Sequence, residues 1–265
     1  MKIGTILGEL EVRVSGEGDR IMVLWPTLLM AGFMFDEQIE YFNSKGFRTV
    51  LIDPPGLGNS DEVNTHFDVY ECAVCVIQIL DHLEINKCVF VGNSWGGMTG
   101  SLVAALFPHR VEAAVLMNCS SSTAGWYQAL KYIMLTFTAK TFNGYPYFLL
   151  NEGVKALLGP TAIKTKPEVV AKVRVALKAN KIRSTCQCID SLRQRSDVSR
   201  ILKATTVPVL VVAGEEDQTF PVAEVKLMAD AIGGQFLVLE KVGHLAALES
   251  PDEVNEIIDK FLQKH

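Results

Sequence analysis

Long apolar runs, basic clusters and paired Cys or His motifs of the kind that build a metal site are all missing from this chain of 265 residues. Its longest apolar stretch, 21–35, is interrupted by Pro26, Thr27 and Gly32 and falls short of the ~20 residues a membrane-spanning helix requires, so no membrane partner is expected. Lys and Arg number 25 against 30 Asp and Glu, a net charge of -5, and no basic stripe is present that would neutralise phosphates. That excludes nucleic acid as an expected partner. The N-terminal residues show no apolar segment followed by a small-residue cleavage site, which predicts a cytoplasmic location. The six cysteines, Cys72, Cys75, Cys88, Cys119, Cys186 and Cys188, lie mostly in apolar strand or helix patterns, where cysteine acts as a small buried hydrophobe. Cys72 and Cys75 have the Cys-x-x-Cys spacing, but inside a predicted helix and without a second Cys or His pair. Free thiols, no metal and no cofactor are therefore expected. Internal repeats and low-complexity segments are absent as well.

What is present is an alternation of short apolar runs with helical patterns. Runs at 21–24, 49–52, 89–91, 113–117, 209–213 and 236–239 have the continuous hydrophobicity of strands buried on both faces of a parallel sheet. Between them Val69, Cys72, Val76, Leu80 and Leu83 recur at helical spacing, as do Val254, Ile257, Ile258, Phe261 and Leu262. Ser250-Pro251-Asp252-Glu253 supplies a start signal for the second of these helices. The loosely alternating 5–14, running into the glycine-rich 15–19, predicts an opening hairpin of edge strands turned at those glycines. The expected fold class is α/β, a doubly wound, mostly parallel sheet with helices on both faces. The alternation fails over 121–200, where large aromatics precede a charged helical pattern. We read 1–120 and 201–265 as the core and 121–200 as a helical cap inserted above the sheet.

The densest chemical signal is Phe90-Val91-Gly92-Asn93-Ser94-Trp95-Gly96-Gly97, a strand that ends in a serine bracketed by glycines and runs into a helix. A serine turned sharply out of a strand is crowded on both sides, and glycine two residues before and after removes the side chains that would collide. A serine hydroxyl needs a base to become a nucleophile, and the base needs a third group to orient it. Of the five histidines, His66, His82, His109 and His265 fall at helix borders or the chain end. His244 lies in a loop at a strand end, where ligand-facing groups collect in open α/β sheets. The strand 209–213 ends in Glu215, Glu216 and Asp217, and Asp217 is our choice for the third group.

In the order Ser94, Asp217, His244, each after a strand, and in the turn Asp53-Pro54-Pro55-Gly56-Leu57-Gly58-Asn59-Ser60, the chain from about residue 21 onward resembles the α/β-hydrolase superfamily. Gly243-His244 with Glu249-Ser250-Pro251 is similar to that family's histidine loop and final helix. The resemblance implies an acyl-enzyme mechanism in which Ser94 attacks, His244 carries the proton and Asp217 fixes its tautomer. It also implies an oxyanion hole built from the Trp95 amide and one from the loop Trp25-Pro26-Thr27-Leu28. Pro26 has no NH, which leaves Thr27 or Leu28, with Leu28 preferred. The substrate pocket is expected to take Trp25 and Leu245 from the core and Trp126 and Phe137 from the cap. The expected substrate is a small apolar carboxylic ester, lactone or thioester. Two alternatives stand beside it. One is a carbon-carbon bond hydrolase of ring-cleavage products, whose elbow is similar but which places tryptophan where Leu245 stands. The other is a non-catalytic ligand-binding protein on the same fold.

Overall fold

The computed structural model describes residues 1–265. The apolar runs form one eight-stranded sheet in the order β1-β2-β4-β3-β5-β6-β7-β8. Its parallel portion is β3 (Arg20–Trp25), β4 (Phe47–Ile52), β5 (Cys88–Asn93), β6 (Val111–Met117), β7 (Val209–Gly214) and β8 (Gln235–Leu239). β3, β5 and β7 are buried on both faces, or nearly so, because helices cover each side. Ile21, Val23 and Trp25 belong to the core on the side of the sheet covered by α2 (Val69–His82), α3 (Trp95–Leu106) and α10 (Val222–Ile232). Met22 and Leu24 face the opposite core, with α1 (Asp36–Ser44) and α12 (Pro251–Leu262).

Three local expectations come out differently. β1 (Lys2–Thr5) and β2 (Gly8–Ser15) do form an antiparallel hairpin, but its turn is at 6–7, and the glycine-rich 15–19 instead carries the chain past β4 to β3. β8 is the sheet's edge and is mostly exposed, so its apolar run does not mark burial on both faces. At α12 the Ser250 hydroxyl bonds the Glu253 carboxylate at 3.1 Å rather than capping a backbone amide. A full capping box stands at α2, where Asp68 and Glu71 exchange bonds of 2.9 Å.

Between β6 and β7 the chain leaves the sheet through α4 (Trp126–Thr141), α5 (Tyr147–Leu157), α6 (Pro160–Thr165), α7 (Pro167–Ala179) and α8 (Ile182–Arg193), and α9 (Ser199–Leu202) leads back to it. These helices rest on loops that follow the parallel strands. Asn180 Nδ2 donates to the Leu29 carbonyl after β3, and Cys188 Sγ to the Pro55 carbonyl after β4. All six cysteines are buried and unpaired. No helix is long and apolar enough to cross a membrane.

Candidate active site

β5 delivers Ser94 at the sheet's C-terminal edge in a backbone conformation of φ 56° and ψ -112°, outside the ordinary regions for a residue with a side chain. The Ser94 amide donates to the Met117 carbonyl at the end of β6, at 2.7 Å, which holds the strained residue in place. The flanking glycines are required by close approach. A Cβ on Gly92 would lie 2.3 Å from the Gly96 backbone, and one on Gly96 would lie 2.0 Å from the Trp25 carbonyl oxygen. Ser94 is buried, and α3 begins immediately after it, so the amide of Trp95 at the helix N-terminus has no intrahelical partner.

The structure brings two of the sequence-selected groups into direct contact. His244 Nδ1 lies 2.8 Å from Asp217 Oδ2, with both side chains essentially without solvent contact. Asp217 Oδ1 accepts the amides of Thr219 at 2.7 Å and Phe220 at 3.1 Å, and Oδ2 also accepts Asn118 Nδ2 at 2.9 Å. A carboxylate surrounded by donors has only acceptor sites to offer, so Nδ1 carries the imidazole proton and Nε2 keeps its lone pair. Phe220 packs against the His244 ring, centroids 5.7 Å apart. The neighbouring acids do other work. Glu215 accepts the Lys241 amide, and Glu216 accepts the amide and hydroxyl of Thr161 in α6 at 2.8 and 2.6 Å.

Two buried asparagines knit the site together, and neither was singled out from the sequence. Asn93 Nδ2 donates to Thr27 Oγ1 at 2.7 Å and to the His244 carbonyl at 2.8 Å, which sets the histidine loop and the loop after β3 beside the serine. Asn118, at a left-handed φ of 52°, donates to Asp217 and, at 2.9 Å, to the Gly243 carbonyl. Their position at the last residue of β5 and just beyond β6 was the available signal. Glu249, which the sequence named only as part of the stretch before the final helix, also ties the site together. Its buried carboxylate accepts the amides of Gly243 at 2.9 Å, Leu245 at 3.0 Å and, from the cap, Gly159 at 3.0 Å. Burial pushes the Glu249 carboxyl above its ordinary value, and those three amides act against the shift.

No hydrogen bond joins Ser94 Oγ to His244; such a bond is often long before substrate is bound. In the loop after β3, the Thr27 amide points at Met34 Sδ at 3.3 Å, whereas the Leu28 amide has no partner within the protein. The geometry thus leaves Leu28 as the free donor. The expected pocket residues fare worse. Trp25 is fully buried and packs edge-on against Trp95, and Leu245 is buried in the core beneath α12. Trp126 and Phe137 project outward, 80% and 65% exposed, because α4 turns Thr136 and Ala139 inward. A cavity of about 600 Å³ lies between α7 and the loops after β3 and β4, with Leu29, Ala31, Phe33, Val175 and Ala176 among its walls but none of Ser94, Asp217 and His244. None of the four expected pocket residues lines it. No cluster of His, Cys, Asp and Glu side chains has the makings of a metal site.

A family model described as the alpha/beta hydrolase fold matches residues 20–251. The chain is 26% identical to the 3-oxoadipate enol-lactonase 2 of Acinetobacter baylyi, over 94% of this chain and 91% of that one. It is 24% identical to a 2-hydroxy-6-oxononadienedioate/2-hydroxy-6-oxononatrienedioate hydrolase of a Pseudomonas species, over 98% and 94%. A thermophilic esterase from Thermogutta terrifontis shares the fold at a TM-score of 0.91 and 24% identity, covering 100% of this chain and 98% of that one.

Proposed function

The chain belongs to the alpha/beta hydrolase fold family, and from that premise we propose that it is a serine hydrolase that cleaves a carboxylic ester, lactone or thioester through an acyl-enzyme. Relatives of this chain are named for lactone hydrolysis and for carbon-carbon bond hydrolysis. The observation that carries the ester reading is the buried 2.8 Å pair of His244 Nδ1 and Asp217 Oδ2 at the same sheet edge as the strained Ser94.

In the proposed cycle Ser94 Oγ attacks the carbonyl carbon while its proton passes to His244 Nε2, and Asp217 stabilises the imidazolium without taking the proton. The oxyanion is held by the amides of Leu28 and Trp95, each free of an internal partner. One such donor is worth about 3 to 4 kcal/mol of transition-state stabilisation. The tetrahedral adduct collapses, the leaving oxygen or sulfur takes the proton from Nε2, and water then repeats the sequence to release the acid and restore Ser94. Leu29 lines the 600 Å³ cavity directly after Leu28, and we assign the substrate's apolar portion to that groove, although Ser94, Asp217 and His244 are not among its walls. A cytoplasmic site of action and a cap spanning 121–200 belong to the same proposal.

The carbon-carbon hydrolase reading is favoured by the near full-length similarity to the Pseudomonas enzyme, but Leu245 lies buried in the core where that reading wants an aromatic beside the site. The deciding experiment combines fluorophosphonate labelling with turnover of a short ester, an enol-lactone and a vinylogous diketone acid. The proposal expects labelling at Ser94, loss of about 10⁴-fold in ester turnover for Ser94→Ala or His244→Ala, and a double mutant little worse than either. A higher kcat/KM for the diketone acid would move the protein to carbon-carbon cleavage, and neither labelling nor turnover would make it a binding protein.

A further inference from the structure

The outward face of α4 is the least expected surface of the molecule. Trp126, Leu130, Ile133, Met134 and Phe137 are 48 to 80% exposed. At the ~100° advance of an α-helix they share an arc of about 100°, with Lys140 on one flank and Lys131 on the other. Beyond the helix end Phe142 and Phe148 meet edge to face at 6.4 Å, both more than half exposed. Lys131 also sits over the Tyr127 ring, at 4.5 Å. A contiguous apolar surface of this kind on one helix marks an interaction site rather than scattered exposure.

Charge says what would cover it. Residues 121–200 carry thirteen Lys and Arg against four Asp and Glu, a net +9, and 121–151 contain no acid at all. The whole chain is -5, so the remainder is -14. A second copy seated cap to cap would bring two such positive faces together, whereas an anionic surface meets attraction at the cap and repulsion at the core. Large apolar and aromatic residues on one arc with lysine on both flanks is the pattern of a helix that lies in a lipid interface without crossing it.

From this we infer that α4 docks the protein on an anionic lipid surface, cap downward, with the arc from Trp126 to Phe137 in the headgroup boundary. The inference is independent of the chemistry at Ser94. It goes beyond the sequence reading, which excluded a spanning segment and expected no membrane partner.

The protein contains its own reporter, since Trp25 and Trp95 are fully buried and Trp126 alone is exposed. Tryptophan emission and co-sedimentation of the full chain would be followed with vesicles of phosphatidylcholine alone and of phosphatidylcholine mixed equally with phosphatidylglycerol. The expected result is a blue shift and sedimentation with the mixed vesicles only, reversed by high salt. Lys131→Gln with Lys140→Gln should weaken binding about thirtyfold, from roughly fivefold per basic residue at an anionic surface. Ile133→Ser with Met134→Ser should weaken it about a hundredfold. Both variants should keep wild-type turnover of a water-soluble short ester. Absence of binding to mixed vesicles overturns the inference, as does equal binding to both vesicle types. So does concentration-dependent dimerisation that Ile133→Ser with Met134→Ser abolishes while vesicles bind nothing, because the face is then a subunit interface.

Discussion

Asp217→Asn tests the reasoning at its most constrained point. Every group around this carboxylate donates: the Thr219 and Phe220 amides to Oδ1, and Asn118 Nδ2 and the His244 ring to Oδ2. An asparagine must place its NH2 against one pair. At the Oδ1 side it would face two fixed backbone amides, so the lower-energy choice is the Oδ2 side. There His244 can respond by moving its proton to Nε2 and accepting at Nδ1. The Asn118 donor is then left facing a donor, at a cost of about 1 to 3 kcal/mol for one buried unsatisfied group. The fold survives, with Tm lowered by roughly 2 to 4 °C per kcal/mol for a chain of this size. Catalysis does not, because the imidazole nitrogen facing Ser94 now carries a proton and cannot accept another. A loss of about 10³ to 10⁴ in kcat/KM is expected, equivalent to ~4 to 5.5 kcal/mol. The assays are kcat/KM on a chromogenic ester, calorimetric Tm, and the nitrogen-15 NMR signature of the His244 tautomer. Activity within about tenfold of wild type with Nδ1 still protonated would refute the argument, and a dead Glu215→Gln or Glu216→Gln beside it would move the acid role to that residue.

Gly96→Ala should leave little soluble protein, since its Cβ would lie 2.0 Å from the Trp25 carbonyl oxygen and backbone must give way, at or above the ~3 kcal/mol end of overpacking costs. Expression yield and Tm check this. Glu249→Gln should cost about 1 to 3 kcal/mol, because three backbone amides converge on two oxygens and glutamine keeps only one. Its pH dependence carries a sign. Burial raises the native carboxyl above the ordinary value of 4.5, so the native state holds the proton more tightly than the unfolded chain. That contribution is fully present below the unfolded value and is lost as pH rises through the native one. Denaturant titrations should show this slope in wild type and not in Glu249→Gln; an identical slope in both would contradict it. Native protein should show no fast-reacting thiol with a colorimetric disulfide reagent, since all six cysteines are buried and burial pushes the Cys88 and Cys188 thiols up to about 12.

Legibility differed by element for physical reasons. Strands buried on both faces announce themselves as continuous apolar runs, so β3, β5, β6 and β7 could be read directly, and Ser94 with them. β8 carries the same kind of run, but whether a strand is central or at the edge is settled by which strands pair. Among three consecutive acids, Asp217 could be chosen only by analogy of chain order. In the structure β7 ends at Gly214 and the Asp217 amide bonds the Gly214 carbonyl at 3.2 Å, a turn that aims the third acid inward. Asn93, Asn118 and Glu249 act through two or three bonds each to loops, which leave no periodic trace. The α4 aromatics were misplaced because helical spacing reveals a stripe and not the direction it faces. Thr136 and Ala139 make the inward face, and the larger residues were left outside.

The bonds from Glu249 and Glu216 into the cap bear on how hydrolases of this architecture can exchange parts. Gly159 packs so tightly that a Cβ there would meet Glu216 Oε2 at 2.6 Å and the Gly243 amide at 3.0 Å, one residue before His244. The cap linker and the histidine loop are therefore one mechanical piece. Grafting a foreign segment with its seams at the ends of β6 and β7 would discard the Gly159 amide, which shares Glu249 Oε2 with the Gly243 amide, and would disturb the histidine loop. A chimera that retains 158–162 from this chain and exchanges only α4 and α5 leaves that joint intact, which makes the segment before Leu158 the part of the insertion that can be replaced without moving the histidine loop.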